Sequence, residues 1–122
     1  MTLLQKQQAF AVLVARLILH ATSLSGHAVT IGEVARSPEE AVRLARAGAG
    51  IAKSLHTIRL AVDINLFING RYQTDSAAYL PLGEWWEAQS TPELTCAWGG
   101  RSSDGNHFSV ALTYVSTANN SK

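Results

Sequence analysis

The segment "LAVDINLFINGRY", residues 60 to 72, constrains the fold of this chain more than any other. Leu60, Val62, Ile64, Leu66 and Ile68 alternate with Ala61, Asp63, Asn65 and Phe67. A strand therefore puts the aliphatic set on one face and Asp63 on the other. Asn69-Gly70 follows, the strongest short-range hairpin signal. Such a strand needs an apolar layer to cover one face, and its opposite face has to account for a carboxylate.

The apolar layer is supplied by "AFAVLVARLILHA", residues 9 to 21. Phe10, Leu13, Val14, Leu17, Ala21 and Leu24 recur at helical spacing, while Gln5, Lys6, Gln8, Arg16 and His20 fill the more polar side and Gly26 ends the run. Arg16 interrupts the stretch, which is shorter than the ~20 apolar residues a membrane-spanning helix requires. "TSLSGH" is a poor cleavage site for a signal peptide. A buried structural helix is expected, with neither signal peptide nor stable membrane insertion.

"HAVTIGEVA" (27 to 35) reads as a strand, and Ser37, Pro38, Glu39 and Glu40 form a helix start that Gly48 terminates. Arg43 and Arg46 lie three to four positions from those glutamates on a solvated face. The loop "AGAGIAKS" (47 to 54) lacks the Gly-Lys-Ser/Thr ending of a phosphate loop. A helix is expected within 76 to 90 after Pro81, a final strand over 107 to 115, and a loose tail over the last five residues. Helices mixed with hairpin-connected strands predict one α+β domain over residues 1 to 122, with a small, mainly antiparallel sheet flanked by helices. A net charge of +1 without a Lys/Arg cluster argues against nucleic acid as a partner. A single cysteine, Cys96, excludes an internal disulfide and a Cys-rich zinc site.

Alternation in the last strand places Phe108, Val110, Leu112 and Tyr114 on the apolar face, and His107, Ser109, Ala111 and Thr113 opposite. If the two strands share a core, His107 and Asp63 converge, with His56 in the loop leading into the first of them. Two histidines and a carboxylate with an open fourth position are the ligand set of a catalytic zinc site on the sheet. Asp104, three residues before His107, is placed to act as general base; as a bland alternative it caps the "DGN" turn. Cys96 as a nucleophile paired with His107 lacks an oxyanion hole and is expected to be a buried free thiol. Trp85 and Trp86 are expected in core and rim packing, and His20 and His27 as surface or satisfied histidines.

"SLHTIRLAVD" resembles the Ser-x-His-x-x-Gly-x-Ala-x-Asp motif of the M15 zinc peptidases, which include peptidoglycan D-Ala-D-Ala carboxypeptidases and L-alanyl-D-glutamate endopeptidases. "DGNHF" resembles their acidic-x-x-His motif, "GEVARSPEE" the segment bearing their active-site arginine, and "WGGR" the Trp-Gly-Gly stretch before the final motif. The resemblance spans residues 28 to 115 and is nearest to short endolysin-like members from phages and prophages. One position departs: Arg59 stands where the motif has glycine.

The resemblance implies His56, Asp63 and His107 as zinc ligands, Asp104 as the base that activates water, and Arg36 as the group steadying the scissile carbonyl. Ser54 is either an outer-sphere donor or a substrate contact, and Trp98 either lines the cleft or belongs to the core. The implied activity is hydrolysis of a peptide bond in bacterial peptidoglycan stem peptides. Two alternatives remain: trimming of terminal D-alanine, with Arg59 or Lys53 as the cation for a free carboxylate, and a cell-wall-binding module that keeps zinc without catalysis. The expected setting is that of a monomeric endolysin made in the host bacterial cytoplasm without a signal peptide, reaching the wall after a separate protein breaches the membrane.

Overall fold

A computed structural model describes residues 1–48 and 54–112. Helix α1 (Leu3–Ser23) opens with a capping box: the Thr2 side chain accepts from Gln5 N while the Gln5 side chain accepts from Thr2 N. Strand β1 (His27–Ile31) leads to helix α2 (Pro38–Arg46), whose Ser37 cap accepts from Glu40 N and whose Pro38 fills a first-turn position with no need of an N–H. Strand β2 (Ala61–Ile68) turns at Asn69 (φ 50) and Gly70 (φ 80) into the short β3 (Arg71–Tyr72). Both turn residues have positive φ, as a hairpin whose twist matches its strands requires. Helix α3 (Leu80–Ala88), β4 (Cys96–Trp98) and β5 (His107–Val110) complete the chain, with 3-10 turns at Leu55–Ile58, Ser76–Tyr79 and Gly99–Ser102.

The fold is α+β: a five-stranded antiparallel sheet in the order β1-β2-β5-β4, with β3 also paired to β2. Val62, Ile64 and Leu66 of β2 and Phe108 and Val110 of β5 are fully buried in one core with Phe10, Leu13, Leu17 and Ala21 of α1 and Leu82 and Trp86 of α3. Trp86 packs edge-on against Phe10 and Phe108, both at 5.8 Å, and its indole N–H donates to Ser109 O at 2.9 Å. It is a core residue, whereas Trp85, half-buried, stacks on His20 at 5.2 Å. No helix among the described residues is long and apolar enough to cross a membrane.

Several boundaries differ from the sequence reading. Lys6 is on the buried face of α1, 5% exposed, because its ammonium reaches the carbonyls of Ala111 (3.1 Å) and Leu112 (2.6 Å) where the chain leaves β5. A long stem lies along the core and the charge meets two backbone carbonyls. The final strand stops at Val110, and Leu112 is exposed; its expected continuation over 113–115 and the tail lie outside the described residues, as do 49–53 of the glycine loop with Lys53. Strand β4 went unread in the sequence, since three residues carry no periodicity; it exists because β5 offers it an edge.

Candidate metal centre

Three elements bring the site together. Asp63 of β2 and His107 of β5 are direct partners in the antiparallel ladder, so their side chains emerge side by side on the face turned away from the core. His56 arrives from the 3-10 turn just before β2, which Ser54 caps by accepting from His56 N at 3.1 Å. Ser54 is buried and serves to fix the turn that carries His56. Arg59 closes that turn in the left-handed conformation (φ 58, ψ 38), which explains why glycine suits this position. The Arg59 side chain lines a separate cleft with Phe10, Val14 and Val34, against α1.

Asp63 Oδ1 lies 3.3 Å from His56 Nε2 and 3.3 Å from His107 Nδ1, and all three ligand atoms lie within 4.8 Å of one another. Two donors each about 2.1 Å from a tetrahedral metal are about 3.4 Å apart, so the spacing fits a bound ion with little rearrangement. His56 is 3% exposed and the Asp63 and His107 side chains 24% and 23%, so the cluster is anchored on one side and open on the other. This His-Asp-His group can hold a metal ion.

The electrostatics agree. Burial pushes the Asp63 carboxyl up, but hydrogen bonds and charge from His107 and His56 outweigh it and hold the carboxyl down at about 2. For His56, burial disfavours the cation, yet Asp63, Glu33 and the Val34 carbonyl together raise its pKa above the ordinary value. The residues are thus arranged around positive charge, which a divalent cation would supply in place of protons.

A second layer supports the ligands. His56 Nδ1, the nitrogen turned away from Asp63, lies 3.4 Å from Val34 O and 3.7 Å from Glu33 Oε1. Such outer contacts fix the tautomer and ring orientation of a ligating histidine. Glu33 is in turn gripped by the Arg36 guanidinium, only 11% exposed, whose Nε is buried without a partner among the described residues. The backbone of this segment is laced to both ligand elements: Gly32 N donates to Asp63 O (2.7 Å), Asp63 N to Glu33 O (2.9 Å) and Arg36 N to His56 O (3.0 Å). Glu33 escaped the sequence reading; its position three residues before Arg36 was the available signal.

No family model and no curated protein matches this chain.

Asp104 sits on the turn before β5, with Oδ2 4.0 Å from His107 Nδ1 and a side chain 62% exposed. A Cβ at Gly99 would meet the Asp104 backbone and His107 Cβ at 2.9 Å, so glycine there lets the turn fold tightly against the ligand. Trp98 braces the same turn: it is buried against Gly83 and Gly100, and its indole N–H donates to Gly105 O at 2.7 Å. It belongs to the core beneath the site. Cys96 is buried on β4 with its thiol pushed up to about 11 by burial, against a smaller opposing effect of Ser90, which disfavours the thiolate that a nucleophile needs. His20, against Trp85, and His27, bonded to Ser25 O, are absent from the metal cluster.

Proposed function

We propose that this chain is a zinc-dependent peptidase that cleaves a peptide bond in bacterial peptidoglycan stem peptides, in the manner of an L-alanyl-D-glutamate endopeptidase with an endolysin role. The observation that carries the reading is Asp104, an exposed carboxylate 4.0 Å from a nitrogen of the metal cluster yet outside it. A binding or structural ion needs no such neighbour, whereas hydrolysis needs a base beside the ion. The motif order resembling the M15 peptidases supports the substrate, and two imidazoles with one carboxylate support zinc.

When bound, zinc supplies Lewis acidity, polarising a carbonyl and lowering the pKa of water to ~7. His56, Asp63 and His107 would hold the ion. Asp104 accepts the proton of the attacking water and returns it to the leaving amine. The resemblance assigns Arg36 to steadying the scissile carbonyl; its guanidinium grips Glu33 behind His56 and so supports the orientation of that ligand.

The test is mass spectrometry of fragments released from purified peptidoglycan by zinc-loaded protein, with a chelated control. New amino termini at D-glutamate that vanish on chelation are expected; released D-alanine would instead indicate a carboxypeptidase. Asp104→Ala is expected to keep its zinc and lose ~10²–10⁴-fold in rate, while His56→Ala loses both. No release from several wall chemistries at one zinc per chain would refute the peptidase reading.

A further inference from the structure

The outer edge of β2 is shared by two short partners. Strand β5 pairs with residues 61–63 and β3 with residues 67–68. Between them Ile64 N donates to Asn106 O and Gln73 N to Leu66 O, both at 2.8 Å, and the two partners part opposite Asn65. The gap is a cleft of about 150 Å³ with Tyr72, Gln73 and Thr74 on one side and Ser103, Asp104 and Asn106 on the other. A cavity of ~150 Å³ holds a six-membered ring, the size of one side chain.

Building on the peptidase reading above, we propose that this cleft receives the residue on the amine side of the scissile bond, and takes it without a free carboxylate. Asp104 joins the two places: its carboxylate lies 4.0 Å from His107 Nδ1, and the residue also lines the cleft. A group that returns a proton to the leaving amine must come within ~3 Å of it. The residue bearing that amine therefore enters on the Asp104 side.

The lining decides what form it takes. Hydroxyls and amides predominate, and Asn106 Nδ2 donates to Asn65 Oδ1 at 3.2 Å, which holds the Asn106 amide in place. Asp104 is the one charged side chain in the lining, which contains no Lys, Arg or His among the described residues. A carboxylate entering here meets the like charge of Asp104 and no cationic side chain of the lining; a carboxamide meets donors and acceptors. Terminal D-alanine, whose carboxylate follows the scissile bond directly, is thus disfavoured. By the same argument a γ-linked D-glutamate, with its free α-carboxylate, is a poorer substrate than its α-carboxamide.

The experiment compares L-Ala-γ-D-Glu-L-Lys with the same tripeptide bearing the α-carboxamide, on zinc-loaded protein, by rate and by calorimetric binding. The carboxamide is expected to win by at least about fivefold in kcat/KM and in Kd, the lower limit for two like charges about 4 Å apart in water. Asp104→Asn should erase the difference in Kd, and Gln73→Ala should weaken both peptides without changing zinc content. Equal or tighter binding of the carboxylate form overturns the proposal. Carboxamide-selective binding without cleavage of either peptide would uphold the cleft and sink the peptidase reading instead.

Discussion

Asp63 and His107 face each other across the β2–β5 ladder, with Oδ1 of one 3.3 Å from Nδ1 of the other. The pairing register therefore determines the metal centre: a slip of one residue would send His107 to the opposite face.

This closeness gives the metal-free protein a pH signature. Asp63 has its carboxyl lowered from 3.8 to about 2, so its stabilising contribution is present above pH 3.8 and is lost as pH falls toward 2. His56 is raised above 6.5, so its contribution is present below pH 6.5 and is lost as pH rises through the folded value. Urea unfolding of chelated protein should show greatest stability between about pH 4 and 6, with about 2 kcal/mol lost on the acid side. Asp63→Asn should flatten that acid limb; an unchanged limb would mean that other carboxylates cause it.

Glu33 stands behind His56, so Glu33→Gln is expected to weaken metal binding by ~10–100-fold while far-UV circular dichroism stays unchanged. Competition with a chromophoric chelator reads the affinity. If affinity is unaltered, the Val34 carbonyl alone orients the ring.

Arg59 occupies left-handed backbone at φ 58. A side chain there costs ~1–2 kcal/mol, while glycine gives back ~0.5–1 kcal/mol through the entropy of the unfolded chain. Arg59→Gly should raise stability by up to about 1 kcal/mol, seen as a higher urea midpoint at constant m. A lower midpoint would show that Arg59 packing against α1 outweighs the backbone term.

Gly83 in α3 lies against the Trp98 ring, and a Cβ there would overlap it. Alanine is the better helix former by ~1 kcal/mol, but the overlap is with a large buried ring. Gly83→Ala is expected to destabilise by ~1–3 kcal/mol net. Since Trp98 also holds Gly105 O, the variant should lose hydrolytic rate at temperatures where it remains folded. A stabilised, fully active variant would refute this account of Trp98.

The alternation from Leu60 to Ile68, the Asn69-Gly70 turn, the Ser37-Pro38 helix start and the 3.6-residue repeat of α1 were all legible in the sequence, because each is a local pattern with a local cause. So were Asp63 and His107, since a strand's period of two places them off the apolar face whatever surrounds them, while His56 was legible only as a residue of the loop leading into that strand. Glu33, the buried Lys6, strand β4 and the cleft opposite Asn65 were not legible. Each depends on what lies across space: an imidazole nitrogen, carbonyls at the end of β5, a free strand edge, and two short strands that share β2 without meeting. The sequence determined the alternation that turns side chains such as Asp63 and His107 away from the aliphatic layer. Tertiary structure decided which of them meet, because register and turn geometry, rather than periodicity, bring atoms distant in the chain within 3.3 Å.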